Sequence, residues 1–355
     1  MKTEESSFKP TALFLGTLFL CVGLLPGYGF SQTPFYQGKT ITLVRGSTPG
    51  GVGELRVRAV IPYLQKYIPG NPTIIMEFMP GGGGRKATNH IYLRARPDGL
   101  TLGNVGGGLV RNAVLGETGV EYDLDKLIFL GTPNSATHYI FLTNRGFGAD
   151  SIEKLRASSG IRIGAHAVGH DIYVTARLFV YLLGLKEPRF VTGYSDQEIN
   201  LALMQGEVDA RAQTTESIER HQDWIHKRLV DFHAVIEVPK GSKYPRFAHL
   251  PDIESFARSE KERRLLAMFR TFRQVGSPYI LPPGTPKDRV EILAEAIRKT
   301  FKDPAFLKDF KKVAGGDPSP LMPEEQEKAI RELPPDPEIV ELFKKLAGGD
   351  PLPPR

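Results

Sequence analysis

The sequence predicts an α/β protein built in two blocks, each a mainly parallel sheet wound with helices. Three observations predict it. The chain has 355 residues, 41% apolar and 24% charged, ordinary values for a globular protein with room for two domains. Short β-branched runs alternate with helical patterns along its length, as in βαβ units. Glycine-rich turns stand directly between apolar runs and helical patterns, where the N–H groups that open a helix have no intrahelical partner.

The first block opens with the strand TITLVRG (40–46), followed by a helix over 54–68 that Pro62 is expected to kink. TIIMEFM (73–79) is the second strand and KATNHIYLRA (86–95) the second helix. Asp98-Gly99 turns the chain into further strands at 100–106 and 127–132. The second block begins near 137. It carries strands at 139–144, 161–167, 189–193, 208–214 and 232–239, with helices at 171–184 and 196–206. Gly206 is the expected C-cap of the latter helix. Two helices near 252–272, an extended stretch at 277–286 and a long helix opening at Pro286 follow. FKKVAGGDP (310–318) and FKKLAGGDP (343–351) are near-duplicates. Two copies make no array, so they read as two amphipathic helices stopped by glycine, with PLPPR as a frayed tail.

The N-terminus has its own signature. Lys2 and Lys9 flank a polar start, and residues 11–25 carry no charge before Pro26, Gly27 and Gly29. That run of about 15 residues is shorter than the roughly 20 of a membrane-spanning helix. The segment 1–32 therefore reads as a cleaved signal peptide. Phe19 and Leu20 precede Cys21, the one cysteine, where a lipoprotein would have small residues. The mature chain then has no cysteine for disulfides or thiolate metal ligation. The formal charge is +6, with basic and acidic residues interspersed. That tilt suits an anionic small molecule at least as well as nucleic acid.

Several chemistries are excluded. Gly38-Lys39-Thr40 lacks the glycine that opens a phosphate loop and precedes its strand instead of following it. Ser47 lies in GSTPG, not in a nucleophile elbow. His166 and His170 are four apart, but Gly169 interrupts any helix there and no zinc-site glutamate accompanies them. The expectation is no metal, no cofactor and no catalytic residue.

Three loops of one type remain: 46–54, 79–85 and 166–171, each after a strand and before a helix. Open α/β sheets bind ligands at such strand ends, and helix N-termini favour anions there. The candidate ligand-binding residues are Ser47, Thr48, Pro49, Gly50, Gly51, Val52, Gly53 and Glu54 from the first loop, and Gly81 and Gly82 from the second. His166, Ala167, Val168, Gly169 and His170 come from the third. Thr214 and Thr215 are small polar candidates, and Arg45, Arg85 and Arg111 are candidates either for a ligand charge or for salt bridges. Tyr173 and Tyr194 fit either core packing or an aromatic acid.

At these residues the chain resembles a known family. FYQGKTITLVRGSTPGGVGE, IPGNPTIIMEFMPGGGGRKATNHIY, RPDGLTLG, YDLDKLIFLG, LMQGEVDA and LPPGTPKDRV, in this order and spacing, resemble the extracytoplasmic solute receptors of tripartite tricarboxylate transporters, the Bug family. The resemblance covers about 36–320. It implies a type II periplasmic binding protein: two doubly wound α/β domains joined by a hinge, with the ligand cleft between them. It implies a small organic carboxylate gripped by backbone amides of Ser47–Gly53 and His166–His170, membrane transporter subunits as partners, and a monomer in the periplasm. Against the family motif F-x-P-G-G-x-x-D, Ser47 stands for the aromatic and Glu54 for the aspartate. Val191-Thr192-Gly193 departs from the family's P-Y-K-G, so Tyr194 or Asp196 is expected to supply contacts there; Asp209 in GEVDA matches. The implied boundaries are 36–135 with 251–340 for a discontinuous first domain, 136–250 for the second, and 341–355 for a C-terminal helix and tail. A sensor of the same fold, or an exported hydrolase using His166 or His170 with Glu54 or Asp171, are the alternatives.

Overall fold

The computed structural model describes Met1, Thr3, residues 33–333 and residues 336–355. The expected signal segment with Cys21 lies outside the described residues. In the first part of the chain, strand β1 (Thr40–Arg45) leads to helix α1 (Val52–Tyr67), β2 (Thr73–Phe78), α2 (Arg85–Leu93), β3 (Thr101–Asn104), α3 (Gly108–Val114) and β4 (Ile128–Phe129). The chain then crosses to β5 (Tyr139–Asn144), α4 (Ile152–Ala157), β6 (Arg162–Gly164), α5 (Asp171–Leu183), β7 (Arg189–Val191) and α6 (Asp196–Gln205). It continues with β8 (Ala210–Thr214), α7 (Thr215–Glu219), α8 (Gln222–His226) and β9 (Val230–Ile236). It returns through α9 (Glu260–Gln274), β10 (Tyr279–Leu281), α10 (Lys287–Lys302), α11 (Pro304–Ala314), α12 (Pro323–Arg331) and α13 (Pro337–Ala347).

These strands form two five-stranded sheets of one topology. The first has the order β2-β1-β3-β10-β4 and the second β7-β6-β8-β5-β9. In each, four strands run in one direction and one runs antiparallel to both its neighbours: β10 between β3 and β4, and β5 between β8 and β9. The antiparallel strand is the one the chain lays down on arriving from the other sheet. The mainly parallel expectation therefore becomes two mixed sheets.

Local sequence explains most elements. Ile41 and Leu43 of β1 are fully buried between flanking strands. Helix α1 runs unbroken through Pro62 where a kink was expected. A capping box of Ser195 and Glu198 opens α6, and Gly206 closes it in the left-handed region at φ 75°. Pro286 stands at the N-cap of α10, one place before the expected first turn. The expected helix pair near 252–272 is a short 3-10 turn at Ile253–Phe256 followed by α9.

Helix α5 is mostly apolar, and Ile172–Leu183 are all buried, Thr175 and Arg177 among them. Such a helix needs cover on every side. Sheet two packs on one side of it and α13 on another. Arg177 of α5 is buried and donates to the carbonyls of Leu346, Lys345 and Asp350 at the C-terminal end of α13. A cation there meets the helix's unpaired carbonyls. The two near-duplicate segments end differently: α11 stops at left-handed Gly315, while Gly348 after α13 is extended. The tail is not frayed. Arg355 makes two hydrogen bonds of 2.8 Å to the Glu262 carboxylate and donates to the Phe256 carbonyl, and Leu352 packs on the core. The C-terminal helix begins at Pro337, before the expected 341.

Candidate functional site

A cavity of about 110 Å³ lies where the two sheets present the C-terminal ends of their parallel strands. From sheet one it receives Arg45 to Thr48 after β1 and Val105 and Gly106 after β3, with Ser277 just before antiparallel β10. Gly51 to Glu54 line it at the start of α1. From sheet two come His166 and His170 after β6, Gln213 and Thr214 at the end of β8, Tyr139 at the start of β5 and Asp196 at the start of α6. Glycine is required where sheet-one loops converge. A Cβ on Gly46 would lie 2.8 Å from the Val105 carbonyl oxygen and 3.3 Å from Gly84 Cα. Only bare backbone packs that closely.

The sheets also meet backbone to backbone. A Cβ on Gly83, whose φ is 60°, would fall 2.6 Å from the Gly169 carbonyl oxygen. Gln197 at the start of α6 donates to the Gly50 carbonyl at 2.8 Å. Arg111 of α3 donates to Asp171 of α5 at 2.6 Å and to the Gly169 carbonyl. Arg56 of α1 pairs with Glu216 of α7 at 2.8 Å.

The wall is rich in buried charge. Asp171 is shared by Arg111 and Arg273, the latter at 2.7 Å. Burial alone would raise its carboxyl pKa, but Arg273 and Arg111 hold it well below the ordinary range. Asp196 is treated likewise: burial opposes ionisation, yet Arg211 and His166 pull it down to about 2. His170 caps α5, its Nδ1 accepting from the Ile172 N–H at 3.3 Å. His166 and His170 stack with ring centroids 4.1 Å apart. Burial lowers the pKa of both imidazoles, that of His170 to about 4, so both are neutral at pH 7. His166 Nδ1, Tyr139 Oη and Arg45 Nε are buried without a hydrogen-bond partner. Orphaned buried donors and acceptors call for a ligand or water.

No protein-family model and no curated protein sequence matches the chain. Solved structures do. The periplasmic binding protein BugD is 18% identical with a TM-score of 0.67, covering 88% of this chain and 99% of its own. MatC from Rhodopseudomonas palustris, solved with bound malate, is 18% identical at a TM-score of 0.65, covering 87% and 99%. Rpa4515 from R. palustris, solved with adipate, is 16% identical at a TM-score of 0.67, covering 87% and 97%. The fold is that of the periplasmic binding proteins.

Within that fold the sequence-derived candidates separate. Ser47, Thr48, Gly51, Val52, Gly53, Glu54, His166 and His170 line the cavity. Pro49, Gly50, Gly81, Gly82, Ala167, Val168, Gly169, Tyr194 and Asp209 do not. Gly50 gives its carbonyl to Gln197 and its N–H to Glu54 Oε2 at 2.6 Å. Glu54 also accepts from Arg58, so its longer arm folds back to hold its own loop. Gly83, not Gly81 or Gly82, reaches the cavity. Val168 is exposed. Tyr194 packs against the satellite core of sheet two. Asp209 stands before β8, at the opposite strand end, and binds Arg162 through its backbone N–H, Nε and Nη2. Arg85 pairs with Glu117. Thr215 is buried beside Glu216. Tyr173 donates to the Gly348 carbonyl.

Tyr139, Arg273, Gln213 and Ser277 were not singled out, since nothing local marks them. Gly106 carried a readable signal: VGGGL (105–109) follows β3 and runs into the start of α3, the same strand–glycine–helix pattern as the other loops.

Proposed function

We propose that this protein is a solute receptor of the Bug type, exported through its N-terminal segment, that binds an organic carboxylate between its two sheets and releases it unchanged. The observation that carries this reading is the cavity itself. Its lining includes the N-terminal starts of α1 and α5, one from each half of the molecule. Unpaired helix amides and the dipoles behind them favour a carboxylate at such a place. MatC and Rpa4515, which share the fold, were solved with malate and adipate. The neutral imidazoles fit hydrogen bonding to an acid, and neither bonds a hydroxyl that would serve as a nucleophile. Two domains hinged at the crossovers 131–138 and 237–278 would open to admit the ligand, and the closed form is the one a membrane transporter would read.

A thermal-shift screen of the mature chain against malate, adipate, succinate, citrate and benzoate tests the reading. At 100 times its dissociation constant a true ligand stabilises by about 2.7 kcal/mol. No shift with any acid up to millimolar concentration overturns the reading.

A further inference from the structure

Arg45 ends β1 in the cavity wall and is 94% buried, since its relative exposure is 6%. Its protein hydrogen bonds run from one nitrogen: Nη1 donates to the side-chain and backbone oxygens of Asn104. Asn104 is held in turn by its own Nδ2, which donates to the Ser277 carbonyl at 3.0 Å. Nε meets no partner. The side of the guanidinium formed by Nε and Nη2 is the edge that takes a carboxylate through two parallel hydrogen bonds.

The other arginines of the cavity wall have carboxylates: Arg56 has Glu216 and Arg273 has Asp171. Among the described residues no carboxylate forms an ion pair with Arg45. Glu54 and Asp171 act on it only at longer range. Burial pulls its pKa down to about 10, so it still carries its charge at neutral pH. The position is also unfavourable to a cation. Arg45 Nη2 lies against Gly53 in the first turn of α1, where a Cβ would sit 2.0 Å from it. The guanidinium thus lies against the positive end of a helix dipole. A buried charge without a partner is costly, and an anion in the cavity that reaches both Arg45 and the first turn of α1 would satisfy both.

Resting on the reading of this cavity as a carboxylate site, we propose that Arg45 is its specificity-determining residue: the Nε–Nη2 edge grips one ligand carboxylate directly, with Asn104 as the positioning residue. Recognition then depends on a full negative charge, and the uncharged diamide of a dicarboxylic acid is rejected.

The experiment is calorimetric titration of wild type, Arg45→Gln and Arg45→Lys with malate, succinate and adipate, and with succinamide, the uncharged diamide of succinate. Melting of each unliganded protein is recorded alongside. The expected result is binding of at least one acid by wild type, weakened about 100-fold or more in Arg45→Gln and partly restored in Arg45→Lys. Unliganded Arg45→Gln melts at or above wild type, because an unpaired buried charge is gone. Equal binding by Arg45→Gln overturns the assignment and leaves the carboxylate reading standing, whereas a succinamide affinity within threefold of succinate, in a wild type that binds succinate, overturns both. An Arg45→Gln that melts well below wild type makes Arg45 a structural residue and overturns it too. Failure of wild type to bind any of the acids removes the carboxylate reading and the assignment together.

Discussion

Arg45 and Arg211 are the same residue placed twice, once in each sheet, with opposite treatment. Arg211 lies within β8, fully buried, and every guanidinium nitrogen has a partner. Nη2 pairs with Asp196 at 2.7 Å, Nη1 meets Asn200 and the Asp196 carbonyl, and Nε donates to the Ala212 carbonyl. Arg45 lies at the end of β1, nearly as buried, with Nε orphaned. The chain is able to satisfy a buried guanidinium and does so at Arg211. Arg273 and Arg111 also have an unpartnered Nε, but both hold Asp171. Arg45 combines the orphaned Nε with no ion pair among the described residues, and that combination is what leaves its charge for a group from outside the chain.

The strongest way to break this comparison is Arg211→Met. It leaves Asp196 buried without its cation, and about 3–5 kcal/mol of stability should vanish in a denaturant titration. A loss under 1 kcal/mol would make the two arginines equivalent and remove the contrast.

Acid provides a second, smaller lever. His170 has its pKa depressed to about 4 and His166 is also lowered, both by burial, while Asp196 is held at about 2. The unfolded chain binds protons first at each. Stability from the imidazoles is complete above about pH 6.5 and falls as pH drops toward 4, by on the order of 2 kcal/mol. The Asp196 contribution goes below about pH 3.8. Melting curves between pH 7 and 3 should show both declines in wild type and a shallower lower one in Arg211→Met, where Asp171 still contributes. A flat profile from pH 7 to 4 contradicts neutral buried imidazoles.

The smallest effect carries the sharpest sign. Arg45→Met should raise the unliganded melting temperature by about 2 °C, equivalent to roughly 1 kcal/mol. A drop of several degrees would mean that Asn104 satisfies Arg45 better than the geometry implies.

Local patterns made much of the fold legible. β5 occupies the expected 139–144, and β1, α1, α5 and α6 lie within a residue or two of expectation, because burial on one face or all round imposes periods that sequence carries directly. The antiparallel strands escaped that logic. Nothing within YIFLTN or the YIL of 279–281 states which strand each will pair with, since pairing is decided by where the chain has just come from. At the site, the first and third loops were readable because glycine between strand and helix has few other uses. Arg273 and Tyr139 were not. They meet the cavity from elements 134 residues apart in sequence, as the difference of their numbers gives. Asp209 misled for a related reason. It sits one residue before β8, so the strand's direction sends it to the far rim, where Arg162 takes it.

The close approach of Gly83 to Gly169 has a consequence for how this molecule is probed. Alanine scanning works by taking side chains away, and at that seam there are none to take. Its contribution to bringing the halves together becomes visible only by adding atoms.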